Sequence, residues 1–373
     1  MIQVTPVGTK RQLKAFIDFP HDLYRHDRNY VPELFIAQRD LLTPGKHPFH
    51  EHSSMQLFMA AKDGKPAGRI AAILNNNHNR FNKCNEGFFG FFDCVDDPDL
   101  ARELLDTAAG WLREKGVDAI IGPVNFSTNE TCGMLAEGFD LPPVAMMTYN
   151  YPYYNRLVEQ SGFRKKIDLI AYRIDAHDFE DKPARMLDTL SQRLEQKGFR
   201  LRNVNLKNFK SELDGIKEVY NKAWDKNLGF VPMTDREFDY LAKDLKMILD
   251  PDFCMVAEYE GKIVGFSLCI PDINQVLIRI PKGRLLPTGI FRLLFQRRKI
   301  NGVRVIALGV LEPYRKLGIE AVFYGGIIKN GRKKNMQSAE ASWILEDNFL
   351  MNKAILNING KPYKKYRIYE KAL

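Results

Sequence analysis

Apolar residues recur at positions 100, 104, 105, 108, 111 and 112, and the run stops at Gly116. That spacing predicts an amphipathic helix over Asp99–Lys115 with a glycine C-cap. Other stretches alternate or run continuously apolar, as strands do. Met55–Ala61 and Pro66–Leu74 flank Asp63-Gly64 and predict a hairpin. Gly87–Phe92 reads as an aromatic strand and Val117–Gly122 as a buried one. Lys10–Phe19 reads as a short helix, Tyr153–Ser161 as a helix stopped by Gly162, and Asp168–Ile174 as a strand.

Residues 176–184 are polar and acidic and contain a proline, so they are the best candidate for a linker. Beyond them the order of elements repeats. Helices are expected at Met186–Lys197, Leu213–Trp224 and Asp235–Leu249, then a hairpin of Cys254–Glu258 and Lys262–Ile270. A strand at Val303–Val310, a helix at Glu320–Lys334, a strand at Ser338–Ile344, a helix at Asp347–Asn357 and a strand at Lys365–Glu370 complete it. The plan of helix, hairpin, strand, helix, strand, helix, strand thus occurs twice, as a structural duplication would give. The expected fold class is α/β with mixed, mainly antiparallel sheets flanked by helices, in two domains, 1–178 and 185–373.

Composition narrows the class without naming a function. The 373 residues are 45% hydrophobic and 27% charged, enough for sizeable cores. No apolar run approaches the ~20 residues that cross a bilayer, and the opening residues lack the apolar core of a signal peptide. Five scattered cysteines, none in a C-x-x-C pair, argue against a disulfide framework or zinc site and for a reducing compartment. A soluble cytoplasmic protein is the expectation. The net charge of +9 suits a polyanionic partner.

The chemistry concentrates in residues 303–328. A β-branched strand ends at Gly309-Val310-Leu311, and a loop through Arg315-Lys316-Leu317-Gly318-Ile319 opens a long helix. Backbone N–H groups at a helix start have no intrahelical partner, and the helix dipole favours an anion there. Gly318 lets backbone approach a phosphate, and Arg315 and Lys316 add cationic donors. A pyrophosphate would fit.

A strand followed by (Q/R)-x-x-G-x-(G/A) at the next helix resembles the GNAT superfamily of acyl-CoA-dependent N-acyltransferases. The matching positions are Arg315, Gly318 and Glu320, the last departing from the small residue expected. The stretch from 341 to 373 resembles the superfamily's closing strand, asparagine, helix, glycine and strand, with Asn348 and Gly360 in place. The resemblance implies acetyl-CoA or a longer acyl-CoA as co-substrate and no metal. It assigns the cofactor to Gly309, Val310, Leu311, Arg315–Ile319 and, at the pantetheine arm, Asn348. The superfamily's late tyrosine, a common general acid, is missing; Ile355 or Leu356 occupies the region. The thioester carbonyl would be polarised by the amide of Val310 or Leu311.

The first half resembles a degenerate second copy. Its stretch 153–174 matches the same closing segment, but 92–98 enter the helix with three carboxylates and no arginine, which would repel a pyrophosphate. Its polar, glycine-rich loop 122–143 is a candidate acceptor site through Asn125, Ser127, Asn129 and Glu130.

Amine acylation needs a proton acceptor. All seven histidines lie in the first half, at 21, 26, 47, 50, 52, 78 and 177. Carboxylates of the second half, Glu340 and Glu346, are therefore the candidate bases. The cluster His47-Pro-Phe-His50-Glu51-His52 reads as an exposed loop rather than a metal site. Walker A, dinucleotide and nucleophile-elbow motifs are absent.

Residues 274–304 interrupt the second half with large apolar residues among eight basic ones, and no acidic residue occurs between Asp272 and Glu312. Such a segment suits peripheral contact with an anionic membrane, at the inner face for a cytoplasmic protein. Nucleic acid ranks last, because no recognition helix or stacking motif accompanies the charge. The leading expectation is an acyl-CoA-dependent N-acyltransferase acting on a small-molecule, amino-acid-derived or lipid amine. The alternative is a non-catalytic acyl-CoA-binding or regulatory protein on the same fold.

Overall fold

The computed structural model describes residues 1–178, 181–224 and 229–373, with the side chains of 181–185 also left aside. Residues 179 and 180 of the expected linker lie outside the described residues.

In the first half the strands are β1 (Ile2–Pro6), β2 (Ser54–Lys62), β3 (Lys65–Leu74), β4 (Glu86–Cys94), β5 (Ala119–Gly122), β6 (Met134–Glu137) and β7 (Arg164–Asp175). Its helices are α1 (Lys10–Leu23), α2 (Phe35–Leu42), α3 (Asn76–Asn82), α4 (Pro98–Glu114) and α5 (Tyr153–Gln160). The second half adds β8 (Phe199–Asn203), β9 (Cys254–Tyr259), β10 (Lys262–Pro271), β11 (Gly302–Val310), β12 (Ser338–Leu345) and β13 (Lys361–Ala372). Its helices are α6 (Asp181–Gln196), α7 (Phe209–Ala223), α8 (Asp235–Ile248), α9 (Asn274–Leu277), α10 (Gly289–Gln296), α11 (Ile319–Lys333) and α12 (Phe349–Leu356).

Local rules account for these elements. Asp63 and Gly64, at φ 51° and 77°, make the left-handed two-residue turn that matches strand twist, as the hairpin required. Thr9 and Thr234 begin α1 and α8 with reciprocal capping boxes. The helix expected at 99–115 is α4; Leu100, Leu104, Leu105 and Leu112 on its apolar stripe are fully buried.

The two expected sheets are one. Strand order is β1-β2-β3-β4-β5-β13-β7-β12-β11-β10-β9-β8, with β6 beside β13. Only β4–β5 and β11–β12 pair in parallel among the described strands. The closing strands are exchanged: β13 of the second half pairs with β5 of the first, and β7 of the first pairs with β12 of the second. The β7–β13 ladder thus lies at the centre of an arrangement that reads alike from either edge.

In both halves the parallel pair is short and then opens. Strand β11 pairs with β12 over Gly302–Val305 alone, and β4 with β5 over Glu86–Phe88 alone. The first-half gap is filled from within. The Val124 amide donates to Phe89 O at 2.8 Å, and Asn125 Oδ1 accepts from the Phe91 amide at 2.9 Å.

The histidines at 47–52 are not an exposed loop. Pro48–Glu51 form a turn of 3-10 helix, His47 is 4% exposed, and the Phe49 ring stacks on Phe126 at 4.1 Å. Burial lowers the His47 imidazole to about 4. His52 instead meets Glu237 of α8 at 3.0 Å, tying the halves together.

Candidate active site

The anion loop has the expected conformation. Gly318 precedes α11 at φ +98°, a left-handed conformation suited to glycine, and no side chain caps this end of the helix. Arg315, Lys316 and Leu317 are exposed, while Ile319 is buried and anchors the first turn. The Arg315 guanidinium folds inward, donating from Nε to Val310 O at 3.0 Å and from Nη2 to Ala223 O at 3.4 Å.

Of the two amides expected to polarise a carbonyl, one is taken. The Leu311 amide donates to Val264 O at 2.9 Å, because Leu311 continues the β10 ladder. Antiparallel ladders alternate, so with Leu311 bonded to β10 the Val310 and Leu308 amides point away from it, towards the gap left by β12. Gly309 lies between them under Trp224. The loop, the gap and these two amides fit a coenzyme A thioester. Asn348 caps α12 by accepting from the Met351 amide at 3.2 Å.

A cavity of about 490 Å³ crosses one face of the sheet, lined from β4, β5, β13, β7, β12, β11, β10 and β9. Eight strands at the usual spacing carry it over roughly 30 Å. Its second-half arm, under α7 and α8, is apolar, lined by residues such as Phe209, Leu213, Phe238, Leu245 and Leu249. Trp224, Ile306, Ala307 and Trp343 line it where β11 and β12 part.

The first-half arm is polar, and sequence reasoning missed it. His78 and Asn82 of α3, Cys84 and Glu86 of the following turn and strand, and Lys166 of β7 line it. His78 Nε2 lies 3.1 Å from Glu86 Oε2, and Lys166 Nζ lies 3.5 Å from Glu86 Oε1. The Asn82 amide nitrogen donates to His78 Nδ1 at 3.2 Å and also to the carbonyls of His78 and Phe230. This network places the imidazole proton on Nε2. The His78 hydrogen bond, and then the Lys166 charge, hold the Glu86 carboxyl below its ordinary range against the opposing effect of burial. One signal was available: His78 is the only histidine in an asparagine-rich run between two apolar strands.

The second-half carboxylates sit elsewhere. Glu340 is 2% exposed and lies in register with Arg304 on β11. It accepts from Ser342 Oγ at 2.5 Å and from the Tyr363 hydroxyl. Arg304, also buried, donates to Ala145 O at 2.8 Å and to Ser342 Oγ at 3.2 Å. Burial raises the Glu340 carboxyl and lowers the Arg304 guanidinium. Arg304 and Ser342 reach the cavity wall, whereas Glu340 lies behind them. Glu346 accepts from Lys165 Nζ at 2.7 Å and from the Asp168 amide at 2.9 Å, joining β12 to β7 outside the cavity.

The loop 122–143 divides. Asn129 and Glu130 line the cavity, and Asn129 accepts from the Tyr220 hydroxyl of α7 at 2.7 Å. Asn125 fills the first-half gap, and the Ser127 hydroxyl, turned to its own loop, accepts from the Asn129 amide at 3.1 Å. The Glu130 side chain is 27% exposed, and the cavity it lines is enclosed mostly by apolar groups. Burial, reinforced by Glu237 and Asp244, pushes its carboxyl up to about 8.

A splayed parallel strand pair with an anion loop at the following helix, present in a duplicated frame, defines a protein of tandem GNAT fold. The tandem GNAT protein of the clavulanic acid biosynthesis pathway superposes with a TM-score of 0.58 at 10% identity, covering 100% of this chain and 98% of that one. A GCN5-related N-acetyltransferase from Sphaerobacter thermophilus gives 0.54 at 13% identity, covering 100% and 95%. No model of a known protein family matches the chain. Two full-length relatives do: protein YghO of Escherichia coli K12, 36% identical over 98% of this chain and 94% of its own length, and the bacterial ceramide synthase of Caulobacter vibrioides, 34% identical over 100% and 98%. The chain belongs to the family of these two proteins and has the tandem GNAT fold.

Proposed function

We propose that the protein transfers a long fatty acyl group from coenzyme A to the amine of a lipid-like acceptor, the type of product named for the Caulobacter relative. The observation that carries this reading is the apolar arm of the cavity, which begins where β11 and β12 part. An acetyl group has no use for such a space.

Coenzyme A would supply the activated acyl thioester. The start of α11, with Arg315, Lys316 and Gly318, holds its pyrophosphate, and the Val310 amide orients the carbonyl. The apolar arm takes up the chain and excludes water. At the polar arm His78, hydrogen-bonded through both ring nitrogens, forms with Glu86 and Lys166 a polar cluster that receives polar groups of the acceptor remote from its amine. The first half therefore contributes part of the acceptor's place and the second half the donor site. Glu340 and Arg304 act as a buried support for the β11–β12 junction.

Release of free thiol distinguishes the readings. The full chain is assayed with acetyl- through palmitoyl-CoA against long-chain amino alcohols and soluble amines. Turnover rising with chain length on both substrates is expected. Preference for acetyl-CoA and a soluble amine would overturn the lipid reading, and binding without thiol release on any amine would favour the non-catalytic alternative.

A further inference from the structure

The segment that interrupts the second half before β11 divides its cations between two tasks. Arg284 donates to both carboxylate oxygens of Asp18 at 2.7 and 2.9 Å while its guanidinium lies 3.8 Å from the Phe35 ring centroid, and Lys282 meets Asp22 at 2.6 Å. These contacts pin the segment to α1 and α2 of the first half. Arg297 donates to Met247 O at 3.0 Å and Leu249 O at 3.3 Å, tying the end of α10 to the end of α8. Arg298 and Lys299 have no hydrogen-bond or ion-pair partner among the described residues.

Helix α10 turns Leu293 towards the core and shows its other large apolar residues to solvent. Phe291 is 57% exposed, Leu294 64% and Phe295 74%, with Leu286 and Met247 similarly bare nearby. Residues at 291, 294 and 295 share one helix face. A ridge of this kind, fixed by ion pairs behind and flanked by free cations, is what an interfacial helix presents to a bilayer.

We propose that α10 seats the protein on an anionic phospholipid leaflet, with Phe291, Leu294 and Phe295 entering the acyl boundary and Arg298 and Lys299 meeting the headgroups. The charge pattern selects this occupant: from 273 to 311 the chain has no acidic residue, so the surface complements a diffuse negative plane. Placement supports it too. Arg297 holds the carbonyl of Leu249, whose side chain lines the apolar end of the cavity, so the seat adjoins the arm that would hold a lipid chain.

Vesicle co-sedimentation of the full chain tests this independently of turnover, because no acyl donor is needed. Binding to vesicles of mixed phosphatidylcholine and phosphatidylglycerol is expected, with at least tenfold weaker binding to pure phosphatidylcholine and at high salt. Replacing Phe291, Leu294 and Phe295 together by Ser should weaken binding at least tenfold, and so should R298E with K299E. Circular dichroism and thiol release from acyl-CoA on a detergent-dispersed amine should stay as in the parent. Absent binding to anionic vesicles at low salt, or binding unchanged in both variants, overturns the proposal. So does a dimer in solution that the triple Ser variant dissociates, since a second copy would then cover the ridge. Loss of thiol release in the unmodified chain, with vesicle binding retained, would instead fault the acyl-transfer reading.

Discussion

Trp224 lies so close over Gly309 that a β-carbon there would come within 2.4 Å of the indole. The tryptophan lines the cavity at the strand gap, so the glycine sets how far this wall can advance. Gly309→Ala should displace the ring and overpack the site, costing roughly 1–3 kcal/mol of stability by urea denaturation. Its turnover of long acyl-CoA should fall more than its affinity for coenzyme A. An unchanged denaturation midpoint would show that the ring moves freely.

The His78–Glu86 pair gives a kinetic expectation. His78→Gln should raise KM for the amine acceptor by about tenfold, as loss of a hydrogen bond to a charged group predicts, with little change in KM for acyl-CoA. Glu86→Gln should have a smaller effect in the same direction. An unchanged KM for the amine in both variants would place the acceptor away from the polar arm.

Reversing the charge of Arg315 tests the donor site. Arg315→Glu should weaken coenzyme A binding about tenfold or more, as loss of a charged hydrogen bond and gain of repulsion predict. Calorimetry with desulfo-coenzyme A reads this directly, and unchanged affinity would remove the pyrophosphate assignment.

Chain length should be adjustable from the apolar end. Leu245→Trp fills space under α8 and should lower kcat/KM for palmitoyl-CoA by roughly 10- to 200-fold or more relative to short donors, the range a single methylene is worth in such a pocket. An unaltered chain-length profile would mean that the acyl group lies elsewhere.

Glu130 links the cavity to pH. Its folded-state carboxyl titrates at about 8, above the unfolded value, so the native chain holds an extra proton between the two. The stability associated with that proton is complete below the unfolded value and is lost as pH rises through about 8. Glu130→Gln should flatten the decline between about pH 4.5 and 8. Urea midpoints across that range check it; a parallel decline in both proteins would place the titration on another group.

Much of the frame could be read from periodicity, and the reason is local. The spacing at Leu100–Leu112, the Asp63-Gly64 turn and the glycine before α11 each act through neighbours a few residues away. Strand exchange was hidden because β7 and β13 have the same alternation whichever sheet they join. The loop from Arg315 to Ile319 was legible as a contiguous stretch. The polar arm was not: His78, Glu86 and Lys166 meet through the fold, whereas Glu340 and Glu346, the carboxylates that composition singles out, are held by hydrogen bonds off the cavity wall. The His47–His52 run looked solvent-facing by composition, but the aromatic pairing of Phe49 with Phe126 draws it inward.

Because Gly122 pairs with Tyr369, the first half's sheet waits for a strand made only after the other elements of the second half. Until it arrives, β5 presents a bare edge to other nascent strands. Gene truncations or split expression at the midpoint should therefore yield two aggregating fragments, whereas a circular permutant that preserves β7 and β13 has every pairing it needs. The exchange ties the halves together, so neither can be removed without stripping a strand from the other's sheet.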